Sequence, residues 1–232
     1  MRTQLLSLGV VALLGVAPSA SAQLAAYGIG PVNGGTSRFS HDYLLDDGTQ
    51  DEAIGLIGGG AIMYLNRFTV TAGREYLTGI SIAPGLFGSG NARDIILKVF
   101  RVNGDPSNPA NLQNIYKADA VLEGPRSDDF QKFNVGGPNV FLGNAGDEFM
   151  VGFWVNSLDG DFLGAIDQTA SQGMSWAMAG SDPNDISTWT IWGVIDSFGF
   201  PGNWMIRANA VPAPGALALL GLGGLATVRR RR

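Results

Sequence analysis

Glu148-Phe149-Met150-Val151-Gly152-Phe153-Trp154-Val155 is apolar at nearly every position after its first residue. Such a run marks a strand covered on both faces, and it places Trp154 with its neighbours in a core. On both sides of this run, the chain repeats short apolar segments between turn signals. Upstream, Phe68-Thr69-Val70-Thr71 alternates apolar and polar residues, the two-residue period of a half-buried strand. Ile95, Leu97 and Val99 alternate in the same way before Phe100 and Val102 shift the phase, which predicts a bulge near Val99. Downstream, strands are predicted at 164–168, 175–179 and 188–194. The closing segment, Asn203 to Ala208, turns Trp204, Ile206 and Ala208 one way and Met205 and Arg207 the other.

Turn chemistry separates these segments. The 34 glycines are about twice the usual share of about 7% and fall between apolar runs rather than in a repeat. Asn103-Gly104-Asp105-Pro106-Ser107-Asn108-Pro109 is the clearest loop. About nine or ten strands at short spacing, with no long helix among them, predict an all-β domain built as a single β-sandwich or jelly roll.

The two ends are of different composition. Arg2, the apolar run from Leu5 to Val16 and the small-residue site Ala20-Ser21-Ala22 form the three regions of a secretory signal peptide. Cleavage after Ala22 makes Gln23 the first mature residue, with the secretion translocon as the partner that reads residues 1–22. At the other end, Val211-Pro212-Ala213-Pro214 precedes an uncharged apolar run from Gly215 to Val228 and the cluster Arg229, Arg230, Arg231 and Arg232. That run is shorter than the about 17 residues needed to span a bilayer as helix, so a transmembrane segment must also include Ala210 to Pro214. The arginines favour the cytoplasmic side. Residues 23–210 are then the exported domain and residues 211–232 an address.

The order of Pro-x-Pro, short apolar helix and Arg-rich end resembles the PEP-CTERM sorting signal of exported Gram-negative proteins. Pro212 and Pro214 match the two prolines of its motif, and Ala213 stands where that family has Glu. The resemblance implies recognition by an exosortase-type processing enzyme and transient membrane anchoring through the C-terminal helix. The domain also looks like exported jelly-roll modules found beside bacterial sorting signals. That likeness is carried by Asp46-Asp47-Gly48-Thr49 with Glu52 and Ile54-Gly55, and by Trp204-Met205-Ile206-Arg207-Ala208. It implies a binding or accessory module.

Composition excludes several kinds of chemistry. The chain has no cysteine and one histidine, His41, so disulfide scaffolds, redox CxxC motifs and zinc sites are not expected. His41 beside Asp42 reads as a solvated loop residue rather than a catalytic base. Without Arg2 and the four terminal arginines, the domain keeps ten basic residues against 20 acidic ones. An acidic surface disfavours nucleic acid and anionic lipid as partners.

Two candidate sites remain. Asp46, Asp47 and Glu52 offer the clustered oxygens a calcium ion takes, although Asp and Gly are also common in ordinary turns. Trp189 and Trp192, close together after the Asp182-Pro183-Asn184-Asp185 turn, are candidates for a carbohydrate-stacking platform, with core filling as the alternative. Paired carboxylates are plentiful, but none is placed by sequence as the facing pair of a glycosidase. The expectation is a non-enzymatic envelope protein, sorted by its C-terminus. Its β domain serves as a binding or structural module of the cell surface, with exopolysaccharide a candidate partner. A secreted glycan-active hydrolase with unrecognised carboxylates is the alternative.

Overall fold

The computed structural model describes residues 23–28, 42–136 and 140–213. His41, the predicted signal peptide with Ala20 and Ala22, and the stretch from Pro214 through Arg229, Arg230, Arg231 and Arg232 lie outside the described residues. Among the described residues, no helix is long and apolar enough to cross a membrane.

The chain is all-β, with strands joined by antiparallel pairings and three short 3-10 turns among the described residues. In order, the first strands are β1 (Leu24–Gly28), β2 (Glu52–Leu56), β3 (Gly60–Thr69), β4 (Tyr76–Ile82) and β5 (Pro84–Leu86). Then come β6 (Ala92–Val102), β7 (Leu112–Glu123), β8 (Gln131–Asn134), β9 (Val140–Phe141) and β10 (Glu148–Ser157). The last are β11 (Phe162–Asp167), β12 (Ser175–Gly180), β13 (Trp189–Val194), β14 (Asn203–Trp204) and β15 (Ile206–Val211). The extra strands beyond the expected nine or ten are mostly short. Asn203 to Ala208, predicted as one segment, is divided between two sheets.

Strand β10, the run quoted first above, lies inside a six-stranded sheet of order β13-β12-β3-β10-β6-β7. Its odd-numbered residues Phe149, Val151, Phe153 and Val155 face the main core. Opposite them lie two smaller sheets, β1-β2-β11-β14 with β5, and β15-β4-β8 with β9. Ile54, Leu77, Ile80, Leu163, Ile166, Trp204 and Ile206 reach from these sheets into the same core, giving a two-layer, sandwich-like molecule. Each such side chain contributes about 1.5–3 kcal/mol by leaving water. Tyr64 and Trp204 meet edge to face across the layers at 5.0 Å. Gly164 is required there, because a Cβ would run into the Tyr64 ring.

The junction of the two smaller sheets is held by a buried polar knot. Asn66, on the inner side of β3, donates its Nδ2 hydrogens to the carbonyls of Trp204 and Ile206, each at 2.8 Å. The Ser175 hydroxyl donates to Asn66 Oδ1 at 2.6 Å and accepts the Trp204 amide at 2.9 Å. These bonds satisfy backbone groups freed where the strand changes sheet.

A bulge lies at Val99 as expected, but it does not cause the phase shift. Strand β6 keeps its two-residue alternation against β10. The irregularity between Val99 and Phe100 is in the ladder to β7, where Ile115 is the added residue. Phe100 and Val102 are apolar because the outer face of this sheet carries a second core, with Met63, Leu65, Met150, Trp176 and Met178.

Candidate functional site

The outer face of the six-stranded sheet carries the candidate site, a second apolar cluster beside two clefts. Strand register aligns Trp192, Met178, Met63, Trp154, Ile96 and Asp119 as one row crossing all six strands. The next row is Val194, Trp176, Leu65, Gly152, Lys98 and Lys117. Met63, Leu65, Met150 and Met178 are fully buried on this face. The loop between β6 and β7 reaches toward the Trp192 side of this face, where Trp192 Nε1–H donates to the Pro106 carbonyl at 3.0 Å.

Trp154 does not lie in the main core. Phe153 and Val155 occupy that core, so alternation turns Trp154 to the outer face, where it is half-buried. Its ring stands between two clefts. One, of about 510 Å³, is lined by Trp154 with the polar side chains of Asn156, Ser181, Thr188 and Thr190. The other, of about 540 Å³, has Trp154 and Ile96 on its apolar side and the solvent-exposed residues Asp94, Asp119 and Val121 on its rim. Trp154 Nε1 is covered and has no hydrogen-bond partner, an arrangement that ordinarily costs free energy.

Trp189 and Trp192 are brought together as expected, with ring centroids 5.3 Å apart, and Trp176 extends the stack at 5.0 Å from Trp192. Both predicted residues are half-buried against the outer core. Their indole N–H groups are committed to backbone, Trp189 to the Asp182 carbonyl and Trp192 to that of Pro106. The pair therefore ties loops to the sheet, while Trp154 lines both clefts.

The calcium candidates do not assemble as a ligand set. Among the described residues, no group of three or more His, Cys, Asp or Glu side chains is placed to hold a metal. Asp46 is fully buried and taken by Arg207: Nε donates to both carboxylate oxygens at 3.1 Å, and Nη2 donates to Oδ1. The guanidinium also lies over the Phe130 ring at 4.0 Å. Burial pushes the Asp46 carboxyl upward, against the lowering effect of Arg207. Asp47 Oδ1 accepts the Thr49 amide at 2.8 Å, a turn bond, while its own amide donates to Asp167. Glu52 is in β2, paired in the ladder with Gly28 and Ile166. Asp46 is thus a buried staple that fastens the acidic turn to β15 near the end of the domain.

The described residues next to the two predicted signals lie in or beside strands. The Gln23 carbonyl accepts the Ile57 amide at 3.0 Å, immediately before β1. Val211 ends β15, and the chain continues through Pro212 to Ala213, whose amide donates to Glu75 at 3.3 Å. Glu75 is held below the usual carboxylate range, first by the Gly73 amide.

Comparison with protein-family profiles, curated proteins and solved structures returns no match.

Proposed function

We infer that this chain is an exported cell-envelope protein whose jelly-roll-like β-sandwich binds glycan on the outer face of its larger sheet. The observation that carries this reading is Trp154, half-buried between two clefts on the face opposite the main core. A pyranose has an apolar face that packs on an aromatic ring and hydroxyls that bond to surrounding polar groups. Asn156, Ser181, Thr188 and Thr190 supply such groups on one side of Trp154, and Asp94 and Asp119 on the other. The excess of acidic residues favours neutral or amine-bearing sugars over anionic ones.

The terminal regions supply the address in this proposal. Residues 1–22 direct secretion, and residues 211–232 act as a PEP-CTERM-like sorting signal that anchors the chain until an exosortase-type enzyme removes it.

A glycan-array screen of the secreted chain tests the binding half, followed by affinity measurements with Trp154→Ala. Saturable binding that Trp154→Ala weakens supports it. Binding that is unchanged in the variant, or absent across neutral and amine-bearing polysaccharides, overturns it. Release of new reducing ends would instead favour the hydrolase alternative.

A further inference from the structure

Lys98 is fully buried on the outer face of β6, yet it forms no salt bridge among the described residues. Its register partner on β10 is Gly152, which presents no side chain against its stem. Its Nζ donates to Asn184 Oδ1 at 2.6 Å. The turn carrying Asn184 is fixed by several bonds. Asp182 Oδ1 accepts the Asn184 backbone amide at 2.8 Å and its side-chain Nδ2 at 3.0 Å. Thr188 Oγ1 and Trp189 Nε1 both donate to the Asp182 carbonyl.

We propose that Lys98 and Asn184 join in an intramolecular isopeptide bond, with Asp182 as the proton carrier. A carbonyl bond is about 1.23 Å long, so Asn184 Cγ lies at most about 3.8 Å from Nζ, close to attack distance. The Nζ lone pair adds to Cγ, and the Asp182 carboxylate accepts a proton from Nζ. Asp182 returns that proton to Nδ2, which it already contacts, and Nδ2 leaves as ammonia. The Nζ–Cγ bond forms and the Cγ–Nδ2 bond breaks, with no change of oxidation state and no further reactant. The reaction needs a neutral amine. Burial and the nearby Lys117 push the Lys98 amine down to about 8, partly opposed by Asp182. Asn184 is solvent-exposed, which gives ammonia an exit.

The product would fasten the loop between β12 and β13 covalently to β6, across the outer face. In a chain without cysteine it supplies the kind of restraint on the unfolded state that a disulfide would.

Peptide mapping by mass spectrometry of the full chain, held at mildly alkaline pH, tests the proposal. The expected result is one cross-linked peptide containing both Lys98 and Asn184, lighter by one ammonia than its two components. The link should be absent in Lys98→Arg and Asn184→Ala and slower to form in Asp182→Asn. Intact mass alone does not decide, because any chain cleaved to begin at Gln23 also loses ammonia when that residue cyclises. Recovery of Lys98 and Asn184 only in separate peptides from the unsubstituted chain after prolonged incubation overturns the proposal. That result is independent of how any substituted chain folds.

Discussion

Asp46 and Arg207 form a buried ion pair although 161 positions separate them in sequence. The contact joins the acidic turn before β2 to β15, and Phe130 covers the guanidinium. Removing one partner of such a pair leaves a charge in a medium that does not solvate it. Arg207→Leu should therefore cost about 3–5 kcal/mol in denaturant unfolding. Asp46→Asn combined with Arg207→Leu should recover part of that loss. Added calcium should leave the melting temperature unchanged. A calcium-dependent rise abolished by Asp46→Asn would restore the metal reading of this turn.

Asn66→Ala should be more damaging than its small loss of volume implies. It removes the donors of the Trp204 and Ile206 carbonyls and the acceptor of the Ser175 hydroxyl. Each orphaned buried group costs about 1–3 kcal/mol, so the variant should unfold at clearly lower denaturant concentration. A shift as small as that of a surface substitution would show that these carbonyls find other partners.

Stability should respond to pH through Asp128. Its carboxyl is fully buried, accepts the Gln50 amide at 3.0 Å, and is pushed up by burial against the lowering effects of Gln50 and Arg126. A raised folded-state value means the folded chain holds this proton more tightly than the unfolded one. The favourable contribution is then complete below the ordinary carboxylate value and is lost as pH rises through the folded value. Asp128→Asn keeps an acceptor for Gln50 and removes the ionisation. Its melting temperature should exceed that of the parent at neutral pH, with the gap closing on acidification. Glu75, Asp105 and Asp185, whose values are lowered, act in the opposite direction in both proteins and cancel in the difference.

The tryptophans should separate by experiment. Trp154→Ala should reduce glycan affinity at least tenfold, about 1.4 kcal/mol, with a small change in melting temperature. Trp192→Ala should lower stability by about 2 kcal/mol, less than the about 3–5 kcal/mol of a fully buried Trp, because it breaks a stack with Trp176 and Trp189. Affinity and thermal melts of both variants decide; the reverse pattern would return the platform to Trp189 and Trp192.

The proposed terminal signals predict two new chain ends. Mass spectrometry of envelope protein from the native host should find Gln23 first and should find no peptide carrying Arg229 to Arg232. Pro212→Ala with Pro214→Ala should block processing while leaving a membrane-bound chain. Replacing Arg229 to Arg232 by Ser should weaken retention and processing together. An intact Arg232 terminus with or without the exosortase would reduce residues 211–232 to a plain anchor.

Local pattern decided the all-β class. The apolar run from Phe149 to Val155 needed cover on both faces, and Gly and Pro punctuated the chain at strand spacing. The order of charges and apolar residues at each end likewise suggested the addresses without tertiary information, because they are defined by sequence order. What each side chain does was decided by the fold. A strand apolar on both faces does not reveal which face holds the main core, so Trp154 could not be told from Phe153. Asp46 and Arg207, Asn66 and Trp204, and Lys98 and Asn184 are each brought together from distant positions by sheet topology. No spacing in the sequence announces such a pair, because partners across a sheet or between layers depend on strand order and register.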